Sequence, residues 1–162
     1  MGEIVLARVD DRLIHGQVMT KWAKGMNTNS IFVVDNATAS DPFMKDIYMM
    51  STANSGMTIK VFSTDEVVEY WKNENFGKYR AILLFKSIAA VKEVIDKGLP
   101  IKKLNLGGIA KKKESKFILP NVAVKPEEME VLKEISGKDI EVFFQIVPDT
   151  KYVSLKDALK SY

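Results

Sequence analysis

The sequence predicts an α/β fold, a single domain with an open, mostly parallel sheet of about six or seven strands and helices on both faces. Short apolar runs alternate with segments whose apolar residues recur at helical spacing over most of the 162 residues. Such near-continuous apolar runs are typical of strands that are buried on both faces. A chain of this length usually closes around one core, so residues 1–162 are expected to form one domain.

Four strands are predicted in the first half of the chain, at residues 4–9, 30–35, 58–62 and 81–85. Apolar residues recur at helical spacing from Val18 to Lys24, directly after the first loop. Asp41 precedes Pro42 as an N-cap precedes a proline at the first helical position. Ser63 and Glu66 have the spacing of a capping box, which begins the next helix. Loops or turns are predicted at 10–16, 36–41 and 54–56.

The second half of the chain continues this alternation. Ser87 can cap a helix that Gly98 and Pro100 end, and Pro126 opens a further helix that Gly137 closes. The remaining predictions are a strand at 102–106, a polar turn at 110–116, a short strand at 122–124 near a sheet edge, a last strand at 140–147 and a C-terminal helix from 154.

The loops that follow parallel strands meet at one edge of the sheet, because the crossovers between the strands are right-handed. Ligands of such sheets bind at this edge. The first of these loops lies in the stretch from Arg8 to Gln17, which holds the only histidine of the chain. Asp35, Lys86-Ser87 and Gly107-Gly108 also fall at predicted strand ends. We expect these residues to face one crevice.

The composition excludes several classes of function. Without cysteine, the chain has no disulfide, no thiolate metal site and no thiol chemistry. A single histidine argues against a zinc site, which takes several His or Cys ligands, and neither a metal nor an organic cofactor is expected. The net charge of +3 is too small to indicate nucleic-acid binding. No apolar run reaches the roughly 20 residues of a membrane span. No signal peptide is recognisable either, so a cytoplasmic location is expected.

His15 has two interpretations, an ordinary hydrogen-bonded loop histidine or a nucleophile in an anion site. Its position favours the second, since backbone N–H groups and the helix dipole attract anions at a turn from strand to helix. Gly16 lets a ligand approach the backbone closely. Arg12 has a planar guanidinium that suits a phosphoryl group. Histidine is commonly neutral near pH 7, as a nucleophile must be.

Asp10 and Asp11 also have two interpretations. They bind a divalent cation, or one of them orients an arginine or the imidazole while the other caps a turn. Because Arg8 and Arg12 are so close in the sequence, pairing is preferred to a metal site.

Two further segments are ambiguous. Gly107-Gly108 is either a loop that a phosphate approaches or a tight turn, and the full dinucleotide-binding pattern is absent. Lys111-Lys112-Lys113 is a solvated turn or part of a docking surface for an acidic partner.

The run from Asp10 to Val18, with Trp22 downstream, resembles the active-site loop of the IIB components of the bacterial phosphoenolpyruvate-dependent sugar phosphotransferase system, in the mannose/fructose/sorbose family. The resemblance extends along the chain, through 31–35, 105–108 and 145–148. The sequence departs from the family pattern at Asn54-Ser55 and in the turn from Ala110 to Lys113. These departures concern the rim of the site and do not affect the His15 loop.

The resemblance implies a protein-histidine–sugar phosphotransferase in which His15 accepts a phosphoryl group from phosphohistidine of a IIA component. Family members carry the phosphate on the ring nitrogen nearer the backbone. The group then passes to a sugar translocated by the membrane components IIC and IID, which places the chain at the inner face of the membrane. By the same resemblance Arg12 binds the phosphoryl oxygens, while Asp10 and Arg8 support the loop. Backbone donors of residues 15–17, including Gln17, are expected to stabilise the transferring group.

Two rival functions remain on the residues alone, a receiver-like signalling domain and a non-catalytic ligand- or nucleotide-binding domain. The acidic pair after the first strand and Lys86 favour a receiver, but Phe62-Ser63 stands where its phosphoacceptor aspartate is required. The sequence leaves open which sugar is carried and whether the chain forms a homo-oligomer.

Overall fold

A computed structural model describes residues 1–15, 18–50 and 56–162. The strands are β1 (Glu3–Asp10), β2 (Ser30–Val34), β3 (Thr58–Phe62), β4 (Arg80–Phe85), β5 (Lys103–Gly108), β6 (Lys116–Leu119), β7 (Val122–Val124), β8 (Glu141–Phe144) and β9 (Val153–Ser154). The helices are α1 (Val18–Met26), α2 (Asn36–Ala39), α3 (Pro42–Met50), α4 (Thr64–Glu74), α5 (Ile88–Asp96), α6 (Pro126–Ser136) and α7 (Leu155–Ser161).

The main sheet has seven strands in the order β3-β2-β4-β1-β5-β8-β9. Its first six strands run parallel, and β9 pairs antiparallel with β8 at one edge. A separate hairpin of β6 and β7 accounts for the short strand that was predicted near an edge. The predicted α/β class with a mostly parallel sheet is therefore confirmed.

Alternate residues of the strands point into two hydrophobic cores on opposite faces of the sheet. Phe32 and Val34 of β2 belong to the larger core, together with residues of α4, α5, α6 and α7. Ile31 and Val33 belong to the smaller core, to which α1 contributes Trp22. The prediction of helices on both faces is confirmed by this division.

The carboxyl ends of β1 and β5 lie side by side at a topological switch point. The chain leaves β1 toward β2 on one side of the sheet and leaves β5 toward β8 on the other. Accordingly, α1 packs into the smaller core and α6 into the larger one. Ligands of open parallel sheets bind in the crevice at such a point, and the His15 loop begins there.

The predicted helix starts agree with the structure. Ser63 accepts from the backbone of Glu66, whose carboxylate accepts from the backbone of Ser63 in return. The side chains of Ser87 and Ser154 accept backbone hydrogen bonds in the first turns of α5 and α7. Asp41 caps α3 in the same way. These local signals depend on spacing within one turn, which is why the sequence alone predicts them.

Three predicted boundaries are wrong. Residues 36–39 form α2 instead of a loop, because the Asp35 carboxylate accepts from both the backbone and the hydroxyl of Thr38. Gly107 and Gly108 end β5 and do not follow it as a turn. The last parallel strand stops at Phe144, because the Gln145 amide donates to two carbonyls beyond it and turns the chain back into β9. The predicted turn at 54–56 lies, except for its last residue, outside the described residues.

Candidate active site

The loop after β1 is fixed by backbone hydrogen bonds to itself and to the end of β5. The backbone N–H of Asp11 donates to the Gly108 carbonyl at 2.8 Å, and that of Leu13 donates to the Asp10 carbonyl at 2.9 Å. Leu13 adopts a positive φ of 55°, and its side chain is buried in the smaller core. This conformation directs the chain toward His15, the last described residue before α1.

Asp10 is the hub of the site. Its carboxylate is fully buried, which is stable only when the charge is paired and hydrogen-bonded. Oδ1 accepts from the backbone N–H of Arg12 at 3.1 Å and lies 3.5 Å from its Nε. Oδ2 accepts from Nη2 of Arg8 at 3.2 Å and lies 3.7 Å from Nε2 of His15. One carboxylate therefore joins the three other charged or titratable side chains that were predicted to act in the loop.

The imidazole of His15 is hydrogen-bonded at Nδ1, and its Nε2 faces Asp10. Nδ1 lies 2.9 Å from the Leu13 carbonyl oxygen, and we assign a proton to Nδ1 because a carbonyl only accepts. In a neutral ring the lone pair is then on Nε2. That nitrogen is buried, faces Asp10, and has no hydrogen-bond partner among the described residues.

Arg12 differs from Arg8 in exposure. Its side chain is 55% exposed, with only Nε close to Asp10, so its terminal nitrogens are accessible at the surface. Arg8 has a side chain that is fully buried. An exposed guanidinium that is held at one end by a buried carboxylate is suited to bind an incoming anion.

The guanidinium of Arg8 is enclosed by groups from several elements. Nη1 donates to the Asn105 side-chain oxygen on β5 and, at 3.2 Å, to the Gln145 carbonyl after β8. The Trp22 ring of α1 lies 5.5 Å from Cζ. Burial lowers the pKa of Arg8, while the neighbouring Asp10 charge raises it. Arginine stays protonated under such conditions, so Arg8 is a permanent buried cation against Asp10.

The glycine pair at the end of β5 makes room for these side chains. A Cβ on Gly107 would lie 2.0 Å from Cζ of Arg8, and one on Gly108 would lie 2.8 Å from Oδ1 of Asp10. The tight-turn interpretation is wrong, since both residues are in β5. Phosphate binding by either glycine stays a prediction, as it does for Gly16 and Gln17, which lie outside the described residues.

The two aspartates bind different partners, and the pairing with arginine that was predicted for one of them is seen at Asp10. Asp10 binds the arginines, and Asp11 accepts from the backbone N–H of Ala110 at 2.8 Å, which ties the loop to the segment after β5. Over residues 1–15, 18–50 and 56–162, no group of three or more His, Cys, Asp or Glu side chains is arranged to hold a metal ion.

The other predicted strand-end residues are not connected to this hub by any contact that the structure describes. Asp35 and Ser87 use their side chains as helix caps, and Lys86 is exposed. Residues that the sequence reasoning missed are Asn105 and Gln145, which hold Arg8. A polar Asn between two leucines of a buried strand was the available signal, because buried polar groups need partners.

A cleft of about 320 Å³ lies beside the loop, between it and the β6–β7 hairpin. Its lining includes Arg12, Lys111 and Phe117, and Nζ of Lys111 lies 5.7 Å from the Phe117 ring centre. The three consecutive lysines at 111–113 are exposed, as both interpretations of this turn require.

Comparison with known proteins identifies the family. The family described as the sorbose subfamily IIB component of the PTS, the phosphotransferase system, matches residues 4–162. The chain belongs to this family. A crystal structure of manxB from Thermoanaerobacter tengcongensis is similar, with a TM-score of 0.93 and 41% identity over 100% of this chain and 98% of that one. The sorbose permease IIB domain of Klebsiella pneumoniae has a TM-score of 0.89 and 26% identity, covering 98% and 97% of the two chains.

Relatives of this IIB component serve different sugars. The fructose-specific EIIB component of Bacillus subtilis is 30% identical over 91% of this chain and 90% of its own. The mannose-specific EIIAB component of Escherichia coli K12 is 30% identical over 96% of this chain. The chain spans about half, 48%, of the length of that relative. PTS IIB components are phosphotransferases in general. No helix among the described residues is long and apolar enough to cross a membrane.

Proposed function

We propose that this IIB component, as one domain over residues 1–162, accepts a phosphoryl group on His15 from a phosphohistidine of a IIA component. It then transfers the group to a sugar that the IIC and IID membrane components carry inward, while it works at the cytoplasmic face of the membrane. The single observation that carries the proposal is that one buried carboxylate, Asp10, lies beside both the imidazole of His15 and the exposed guanidinium of Arg12. The family match supports the phosphotransferase class.

The geometry favours Nδ1 as the atom that is phosphorylated. A phosphoryl group on Nε2 would be placed against the buried Asp10 carboxylate, which now lies 3.7 Å away, and the two negative groups would repel each other. Nδ1 is free once its hydrogen bond to the Leu13 carbonyl breaks. The ring proton then has to be on Nε2, where the Asp10 carboxylate is positioned to accept a hydrogen bond from it. Catalytic hydrogen bonds that are long in a free enzyme commonly shorten in the complex.

The first transfer is written as an in-line displacement. The lone pair of Nδ1 forms a bond to phosphorus while the bond between phosphorus and the donor's ring nitrogen breaks, and that electron pair stays on the donor imidazole. His15 becomes a phosphorylated imidazolium with its remaining proton on Nε2. Asp10 stabilises the positive charge of this ring, because an anion beside a cation favours the charged form.

Arg12 has the role of binding the transferring group. Negative charge is spread over the three equatorial oxygens in the transition state of phosphoryl transfer, and catalysis consists of positioning and electrostatic stabilisation. The exposed end of the Arg12 guanidinium offers donors to these oxygens, while its Nε stays near Asp10.

The second transfer returns His15 to the neutral imidazole, protonated on Nε2, that attacked the donor. A hydroxyl oxygen of the sugar bonds to phosphorus, the bond from phosphorus to Nδ1 breaks, and its electron pair returns to the ring. The hydroxyl proton passes to solvent, and the neutral imidazole keeps its own proton on Nε2.

Phosphorylation with mass mapping tests the proposal. The chain is incubated with phosphoenolpyruvate, the general phosphotransferase proteins and a mannose-family IIA protein. We expect one phosphoryl group on the peptide that contains His15, lost in acid and retained in base. His15→Ala removes the only imidazole of the chain and should accept none.

Two results would contradict the proposal. Undiminished labelling of His15→Ala would exclude His15 as the acceptor. A label that survives acid and maps to Asp10 or Asp11 would indicate the aspartyl phosphate of a receiver-like domain instead.

A further inference from the structure

Asn105 occupies an unusual position for a polar residue. It lies in the middle of β5, it is fully buried, and it is in register with Arg8 on the neighbouring strand β1. Its side-chain oxygen accepts from Nη1 of Arg8, and its Nδ2 donates to the Gln145 carbonyl at 3.1 Å. Both the oxygen and the nitrogen of the amide are therefore used, and Asn105 on β5 connects Arg8 of β1 to the backbone just after β8.

We infer that Asn105 is a positioning residue for phosphoryl transfer: it holds Arg8 against Asp10 and thereby controls how Asp10 acts on His15. This inference rests on the function proposed above. Asn105 does not contact His15 in the structure and is buried, so it acts through the two charged side chains between them.

The path from Asn105 to His15 runs through the buried side chains of Arg8 and Asp10. Asn105 and the Gln145 carbonyl bind the same nitrogen, Nη1, and leave Nη2 of Arg8 directed at Oδ2 of Asp10. The same Oδ2 faces Nε2 of His15. Arg8 thus neutralises part of the Asp10 charge on the side where the imidazole lies, and its direction depends on Nη1 being held.

The charged groups around the imidazole define what is expected when this hold is lost. Asp10 faces the ring at 3.7 Å, and Arg8 and Arg12 both contact Asp10, so these three groups set the local field among the described residues. If Arg8 moves away, the Asp10 charge acts on the ring with less compensation. A protonated ring is then favoured, and protonated His15 has no lone pair for attack.

Substitution of Asn105 distinguishes positioning from packing. Asn105→Leu is close in volume but offers Nη1 no acceptor, whereas Asn105→Asp keeps an oxygen there. With the single histidine labelled with ¹⁵N, NMR reports the protonation of the His15 ring directly, without any phosphoryl donor. We expect the ring to stay protonated to a higher pH in Asn105→Leu than in the wild type.

The kinetic expectation is a change in kcat without a change in KM. Phosphoryl transfer from IIA should fall on the order of 10²-fold in kcat for Asn105→Leu, since a small misplacement of a catalytic group has effects of this size. KM for the donor should stay the same because Asn105 is buried. Asn105→Asp still holds Nη1, so it should retain more kcat than Asn105→Leu, and its added negative charge beside Arg8 should keep kcat below that of the wild type.

Thr64→Val is the matched control. Thr64 is also buried, and its hydroxyl hydrogen-bonds Glu93 and lies 3.3 Å from Oδ1 of Asn36. Neither of these partners contacts Arg8, Asp10 or Asn105 in the hydrogen bonds that the structure describes. Its loss should lower the free energy of unfolding while the ring titration and kcat of the folded protein stay unchanged.

The outcomes separate this inference from the proposed function. A folded Asn105→Leu protein with the wild-type ring titration and wild-type kcat overturns the inference. Should that variant not fold, Asn105→Ala removes the same acceptor with a side chain too short to press on the guanidinium, and the same two measurements decide. If the wild type accepts no phosphoryl group, the proposed function fails, while the ring titrations still show whether Asn105 acts on His15.

Discussion

The guanidinium of Arg8 occupies the space that a side chain on Gly107 would need. A Cβ at position 107 would lie 2.0 Å from Cζ and 2.1 Å from both terminal nitrogens of Arg8. The Arg8 side chain of β1 therefore packs directly against the backbone of Gly107 in β5. Position 107 has to be a glycine because of this side chain on the neighbouring strand.

Gly107→Ala should destabilise the protein by about 1–3 kcal/mol or more, because the added methyl group overpacks the site and displaces a buried charge. Urea unfolding measures the change. Gly137→Ala is the control, since a Cβ there would meet its nearest atom at 3.4 Å and the backbone φ is −67°. That variant should be neutral or more stable by about 0.5 kcal/mol. Equal stability of the two variants would contradict the packing described for Gly107.

Arg8→Met should lower the free energy of unfolding by about 3–5 kcal/mol, because it leaves the buried Asp10 without its buried partner. Arg80→Met provides the comparison, since Arg80 pairs with Glu3 at the surface, where both side chains are more than one third exposed. Exposed pairs contribute at most about 1 kcal/mol. If the two variants unfold at the same denaturant midpoint, a structural role for the Arg8–Asp10 pair is excluded.

Arg12→Lys should leave the fold and stability unchanged and slow phosphoryl transfer on the order of 10²-fold, the usual effect of removing one transition-state donor. A lysine keeps the charge but loses the planar fork that binds two oxygens. Single-turnover transfer from phosphorylated IIA is the measurement. Arg80→Lys, at the amino end of β4, should transfer at the wild-type rate. A wild-type rate for Arg12→Lys would remove Arg12 from the site.

Tyr152 provides a prediction about alkaline pH. Partial burial, and then the hydrogen bond to Glu141, raises the pKa of Tyr152 from 10.0 to about 12. The folded protein therefore holds this proton more tightly than the unfolded chain. The corresponding stability is fully present below pH 10 and is lost as the pH rises toward 12.

Tyr152→Phe should reduce the loss of stability between these pH values and remove one late-titrating phenol from the absorbance titration. The ring stacks on Phe143 at 4.9 Å between centroids, a contact that phenylalanine retains. An unchanged absorbance titration would contradict the assignment.

The sequence was most informative where a structural signal is local. The caps at Ser63, Ser87 and Ser154 depend on residues within one helical turn, and the structure has them where predicted. Apolar runs identified the parallel strands, because burial on both faces leaves no alternation to misread. The strand predicted to run to Val147 ends at Phe144, because the Gln145 side-chain amide donates to the carbonyls of Pro148 and Thr150 in a turn that strand propensity does not encode.

In the candidate site, too, the sequence predicts the features that depend on neighbouring residues, and the fold decides the rest. The sequence by itself determined the α/β class, the loop with His15 after the first strand, and the proximity of Asp10 and Arg12, since these residues are neighbours along the chain. Only the tertiary structure decided that Asn105 and the Gln145 carbonyl hold Arg8. It also showed that the Arg8 guanidinium leaves no room for a side chain at Gly107. The position of Asp10 against Nε2 of His15 was likewise decided by the fold. The physical reason is strand order: β5 lies beside β1, and β8 lies beside β5. The hydrogen-bonded partners of Arg8 on and after these strands are 97 and 137 residues away in the sequence, and no pattern within one segment indicates that adjacency.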